Sequence, residues 1–171
     1  VWIARLRDIG QWWWEKAGFQ VTITNTPTGL HFAFDCSKRA TILARGIPGL
    51  EQQPEWDDNY CRLLGLTLEV PAHPRPLVGI AADVPAHVAS FLVDQGYILD
   101  TGPTARDCSI YLDATTLSRL PNQVQIVNAI EHSQAPLVRY WRWPDGARSA
   151  ISITGDLDAL SLVDYLTRLL G

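Results

Sequence analysis

Two aspartates separated by one leucine, Asp156-Leu157-Asp158, are the residues whose type and spacing are best suited to chemistry. On extended backbone, residues two apart point to the same side. Both carboxylates would then look into one pocket above the end of the apolar run Ala150-Ile-Ser-Ile153. One carboxylate of such a pair can hold a divalent metal while the other takes a proton from metal-bound water. The competing reading is structural: Asp156 and Asp158 cap the next helix and suit its positive N-terminal end.

The elements that must position this pair can be read on either side of it. The turn Trp143-Pro-Asp-Gly146 precedes a short strand over Ala150–Ile153. After the pair, Leu160, Leu162, Val163, Leu166, Leu169 and Leu170 recur at helical spacing, and Ser161 with Asp164 three residues later marks a helix start. A strand end leading into a helix is where α/β proteins place their chemistry.

Residues 139–161, Arg-Tyr-Trp-Arg-Trp-Pro-Asp-Gly-Ala-Arg-Ser-Ala-Ile-Ser-Ile-Thr-Gly-Asp-Leu-Asp-Ala-Leu-Ser, resemble the opening of polysaccharide deacetylases of carbohydrate esterase family four. In that family an apolar strand delivers Thr-x-Asp-Asp or a close Asp-x-Asp variant. The resemblance implies a metal-dependent hydrolase that removes N-acetyl groups from amino sugars. It would make Asp156 the catalytic base and Asp158 a ligand of a divalent metal, usually zinc. The family takes two further ligands from a His-x-x-x-His pair. No two of His31, His73, His87 and His132 have that spacing, so the resemblance places the remaining ligands elsewhere in the polypeptide. The partners it implies are a catalytic domain of the same polypeptide, upstream or downstream, and a polysaccharide. The run from Trp2 to Lys16 also resembles the helix that closes a deacetylase catalytic domain.

A chain of 171 residues with 47% hydrophobic and 19% charged residues belongs to a folded globular protein. Its net charge of −4 and the lack of a Lys/Arg run give no electrostatic case for nucleic acid. No apolar segment approaches the roughly 20 residues of a membrane-spanning helix. The compartment stays open. The sequence has no methionine, which leads us to expect a fragment of something longer. Cys36, Cys61 and Cys108 lack a Cys-x-x-Cys pair and read as small apolar residues.

The fold class expected is α+β: an N-terminal helix, a small antiparallel β segment, a βαββαβ unit and a terminal strand–helix element. Residues 1–17 read as one helix with Trp2, Leu6, Ile9 and Trp13 as its apolar stripe and Gly18 as its stop. Trp12 and Trp14 lie off that stripe and are candidates for contact with glycan or a neighbouring domain, although helical periodicity favours packing. Residues 19–46 alternate as a β-meander with a turn at Thr26-Pro-Thr-Gly29. A loop follows, in which Asp57 and Asp58 read as solvated. Leu63 to Val70 then forms a strand with Leu64, Leu66, Leu68 and Val70 on one side. Pro71-Ala-His-Pro-Arg-Pro76 reads as a stiff linker, dividing the chain into an accessory segment (1–70) and an α/β unit (71–171).

In the second part, strands at Leu77–Ala81, Tyr97–Leu99, Ser109–Leu112 and Pro136–Trp141 alternate with helices at Pro85–Gln95 and Asn122–Ser133. The expected inward residues are Val88, Phe91 and Leu92 on the first helix and Val124, Val127 and Ile130 on the second. Only Gly102–Asp107 separates the middle strands, so a hairpin is expected between them and a ferredoxin-like arrangement results. A parallel Rossmann-like sheet is the alternative, without a glycine-rich phosphate loop. His73, His87 and His132 read as surface or helix-end residues. The rival to the hydrolase is a non-catalytic module that binds glycan or packs on another domain. A small-molecule regulatory domain is a third reading.

Overall fold

The computed structural model describes residues 1–57 and 59–152. The terminal strand–helix element beyond Ser152 therefore lies outside the described residues, and so does Asp58. Helices and several small sheets are mixed along the chain, giving an α+β fold.

The chain starts with a two-residue strand, β1 (Trp2–Ile3), and only then enters α1 (Leu6–Ala17). The Asp8 carboxylate closes the first turn by accepting from the Arg5 backbone N–H at 3.1 Å and the Arg5 guanidinium at 2.9 Å. The expected stripe through Trp2, Leu6, Ile9 and Trp13 is corrected. The buried residues of α1 are Trp12 and Lys16, whereas Leu6 is 64% exposed. Trp2 lies outside the helix, and Lys16 enters the face through its long apolar stem, which a polar/apolar pattern does not count.

β2 (Gln20–Thr26) and β3 (Gly29–Asp35) form the expected hairpin, with Val21 opposite Phe34 and Ile23 opposite Phe32. The meander ends there. β4 (Ile42–Arg45) pairs with β5 (Cys61–Arg62), and β3 takes β6 (Thr67–Val70) as its second neighbour. All four residues of β4 are buried, so it serves as an interior strand rather than a sheet edge. The strand expected over Leu63–Val70 is shorter: Leu68 and Val70 face inward, while Leu64 and Leu66 are exposed.

β7 (Arg75–Ile80), α2 (Ala86–Gln95), β8 (Leu99–Asp100), β9 (Cys108–Leu112), α3 (Ala114–Ser118), α4 (Gln123–His132) and β10 (Leu137–Tyr140) keep the expected βαββαβ order, with α3 added. Their pairing differs. β8 and β9 form no hairpin; both lie parallel to β7, one on each side. Gly79 faces Asp100 and Arg75 faces Cys108, so the connection drops back by four residues, roughly 13 Å. The intervening stretch can span about 23 Å when extended. Reach is therefore no obstacle, and bulk is the real constraint. A Cβ on Gly79 would lie 1.8 Å from the Ala105 carbonyl oxygen. The bare glycine lets the short helical turn Ala105–Asp107 cross directly over the strand.

β10 pairs antiparallel with β4, Leu137 opposite Arg45 and Tyr140 opposite Ile42, instead of rejoining β7. It also meets the end of α2, where the Tyr140 N–H donates to the Gly96 carbonyl at 2.8 Å. The hairpin of the ferredoxin-like arrangement is therefore absent, and β7, β8 and β9 form a small parallel sheet as in the Rossmann-like alternative, with β10 paired elsewhere. The helices of the α/β unit turn as expected on α2, where Val88 and Leu92 are buried. On α4 the buried residues are Ile126 and Ile130, and Val124 is exposed.

One core cluster runs from Leu30, Phe32 and Phe34 through Ile42, Ala44, Leu68 and Val70 to Leu77, Ile98, Cys108, Val138 and Tyr140. It crosses the proline stretch at 71–76, and Pro76 is itself fully buried. The prolines therefore separate no cores. A second cluster joins α2, α4 and the outer side of β7 through Val78, Ile80, Leu92 and Ile130.

Candidate functional site

β11 (Ala150–Ile151) is the last strand described, and it leads toward the acidic pair. It lies parallel to β1, with Trp2 opposite Ala150 and Ile3 opposite Ile151. The Trp2 N–H donates to the Ser149 carbonyl at 2.7 Å, and the Ala4 N–H to Ile151 at 3.0 Å. The turn Pro144–Gly146 makes this pairing possible. Asp145 takes a positive φ of 55°, which a short polar side chain tolerates. Its carboxylate accepts from Arg39 Nη2 at 2.9 Å and Nε at 3.1 Å. That hydrogen bond is the main cause holding the Arg39 guanidinium above its ordinary pKa.

Tryptophans wedge the strand pair in place. Trp143 lies 6.3 Å from Trp2 and 6.1 Å from Trp13, ring centre to ring centre, and Arg142 stacks over Trp143 at 5.0 Å. The outward side of the pair is apolar and uncovered by the described residues. Ile3 is 77% exposed and Ile151 50%, with Val1 and Leu6 also exposed. Parallel strands are normally covered on both faces, and two strands alone are marginal in water.

Asp156 and Asp158 lie outside the described residues, so their geometry does not enter. Of the candidate contact tryptophans, Trp12 is wholly internal. It has no exposed surface, and its Nε1 donates to the Arg142 carbonyl at 2.9 Å. A glycan cannot reach it. Trp14 is 73% exposed and free to meet a partner. The histidines are scattered: His31 is bonded to Glu69 at 2.6 Å, His132 Nδ1 to the Asn128 carbonyl at 2.7 Å, and His73 precedes a proline in the connection to β7. Among the described residues no group of three or more His, Cys, Asp or Glu side chains converges on a metal position. A zinc site would therefore need ligands from elsewhere in the polypeptide.

No family model, curated protein or solved structure matches this chain. Function must be read from the site itself.

Two polar arrangements in the interior were not anticipated from the sequence. In the first, the Glu131 carboxylate lies between two buried arginines, accepting from Arg45 Nη1 at 2.8 Å and Arg139 Nη1 at 2.6 Å. The Tyr60 hydroxyl donates to it at 2.8 Å and the Tyr97 hydroxyl to its other oxygen. Burial raises both phenols above their ordinary pKa, with Glu131 adding to the rise and Arg139 opposing it. Arg45 also bonds the carbonyls of Ile130 and Ala135, and Arg139 that of Gln95, so the same arginines close the ends of α4 and α2. A signal existed for this centre. Arg45 and Arg139 each sit inside an apolar strand, where a charge requires a partner.

The second arrangement is a cavity of about 200 Å³ between the end of α1, β2, the end of α2 and β10. Phe19, Val21, Ile98, Leu99 and Tyr140 line it together with Lys16, whose Nζ also lies 4.8 Å from the centre of the Trp13 ring. Lys16 is only 8% exposed, and its Nζ donates to the Asp94 carbonyl at 2.5 Å. Burial first, then Arg139 and Arg142, lower its pKa to about 8, against the opposing pull of Asp94. No sequence pattern marked this lysine.

Proposed function

We propose that the described residues form the non-catalytic accessory part of a metal-dependent hydrolase resembling the polysaccharide deacetylases. In this reading β1 and β11 are neighbouring strands of that enzyme's parallel sheet. The observation carrying it is the parallel pairing of these two strands, with Ile3 and Ile151 exposed on a side that the described residues leave uncovered. A pair of parallel strands of this length is an incomplete sheet, and further strands and helices would bury that side. By position in the sequence, Asp156 follows Ile151 by five residues, so the segment carrying the proposed base and the proposed metal ligand Asp158 enters directly from this pair.

The exposed patch is aliphatic (Val1, Ile3, Leu6, Ile151), which suits packing against another part of the polypeptide better than stacking on sugar rings. Trp14 is the one tryptophan of the α1 run left exposed enough for a glycan edge. The metal, zinc in the family, would need ligands supplied with the rest of the polypeptide.

The test uses the polypeptide with its flanking sequence, assayed for acetate release from N-acetylated amino-sugar oligomers with and without added zinc. Zinc-dependent release that disappears in Asp158→Ala, with circular dichroism unchanged, is the expected result. No release, or release indifferent to Asp158→Ala, overturns the hydrolase reading. Loss of release in Ile3→Asp/Ile151→Asp supports the role given to the strand pair, whereas an unaffected rate removes it.

A further inference from the structure

The cavity beside Lys16 is independent of the hydrolase reading. We propose that it is a capture site for a small apolar aldehyde, held among Phe19, Val21, Ile98 and Leu99 and bonded reversibly to the Lys16 amine as an imine. Several features point to this class of ligand. The walls are mainly hydrocarbon, which disfavours a hydrated or charged body. The end of α2, with its partial negative charge, contributes the Asp94 carbonyl to Nζ, so a carboxylate would be placed against like charge. A volume near 200 Å³ is below that of drug-sized sites and suits a ligand of a few carbons or one ring.

An amine in apolar surroundings and beside other cations is the arrangement that activates lysine as a nucleophile. Arg139 on β10 and Arg142 just after it are the cations acting on Lys16, and Asp94 on α2 is the opposing acid. The phenols of Tyr97 and Tyr140 also line the cavity, but both are committed, to Glu131 and to the Gln20 carbonyl at 2.8 Å. Glu131 is in turn bound by Arg45 and Arg139. These groups leave Lys16 as the reactive member. In its neutral form Nζ can donate one N–H to Asp94 and direct its lone pair at a carbonyl carbon. The C–N bond forms as the carbonyl oxygen takes up a proton. The attacking nitrogen gives up one proton in forming the carbinolamine and its second as that oxygen leaves as water, so that both amine hydrogens depart with the oxygen and the C=N bond remains. No electrons are gained or lost.

The sequence supplies its own control, because its two lysines are Lys16 and the exposed Lys38. The full chain is incubated with benzaldehyde or butanal, reduced with cyanoborohydride and mapped by mass spectrometry. At pH 8 about half of Lys16 would be neutral, against under about one per cent of an ordinary lysine. The adduct is therefore expected on Lys16 at least ten-fold over Lys38, rising from pH 7 to pH 9. Lys16→Arg, which keeps the cation at the end of α2, should remove it. Val93→Trp, placed at the half-open rim of the cavity, should reduce it several-fold without touching the amine. Labelling that favours Lys38, is unchanged by Val93→Trp, or is as strong with glyceraldehyde as with benzaldehyde would overturn the proposal, and so would no adduct.

Discussion

The Glu131 centre and the β1–β11 pair are opposite solutions to the same problem of unsatisfied groups. At Glu131 two arginines, two phenols and the carbonyl ends of two helices find one another inside the fold. Among these groups the Arg139 Nε is the buried donor left without a partner among the described residues. At the strand pair the backbone of each strand is paired on one edge only among the described residues, and Val1, Ile3 and Ile151 are exposed. A closed region can only be broken, whereas an open one can be completed. That contrast is why we place packing stability at the first and propose that the second meets a partner.

The largest effect expected from breaking this contrast is at the closed centre. Glu131→Ala leaves two buried guanidinium groups without their carboxylate and should cost about 3–5 kcal/mol in urea unfolding. A cost below about 1 kcal/mol would show that the centre is not closed. Next in size is Gly79→Ala. Its methyl group meets the Ala105 carbonyl far inside contact distance, and overpacking of this kind costs about 1–3 kcal/mol. Thermal unfolding would register it, together with weakened hydrogen-exchange protection along β9.

Lys16 gives an effect of intermediate size that depends on pH. Its folded pKa of about 8 lies below the ordinary value of about 10.4. Between the two, the unfolded chain holds the extra proton, so stability rises with pH through that window. Burial raises the thiols of Cys36, Cys61 and Cys108, the last to about 11, and these act in the opposite sense at overlapping pH. The contribution is therefore read as wild type minus Lys16→Met, where the thiols cancel. A gain on the order of 2 kcal/mol from pH 8 to pH 10 is expected, and a flat difference would show that the amine is not desolvated. The smallest stability change belongs to the open region. Ile3→Asp with Ile151→Asp, or Trp14→Ala, should shift unfolding by no more than about 0.5 kcal/mol. A larger loss would mean that this surface is already part of a packed core.

Local features were legible in the sequence because their causes are local. Alternation of Val21 and Ile23 against Leu30, Phe32 and Phe34, with a turn between, is sufficient for the β2–β3 hairpin. Gly96 ends α2 with a φ of 97°, as its position after Gln95 suggested. The buried face of α4 was not legible, since Val124 and Ile126 are both aliphatic and only the neighbouring elements choose between them. The polar centre was half legible. Arg45 and Arg139 announce the need for an acid, but the sequence has 18 acidic residues and gives no reason to choose Glu131. The candidate aspartates were chosen on spacing and resemblance, and no contact among the described residues bears on them.

Taken alone, the order of residues decided where most helices, strands and turns fall. These follow from backbone geometry and side-chain period over a few residues. Tertiary structure decided that β4 pairs with β10, that β7 runs between β8 and β9, and that the two ends of the described chain meet as β1 and β11. Strand edges offer nearly equivalent hydrogen bonds to many partners. The choice among them is made by which side chains are buried together, and in one case by the space above Gly79.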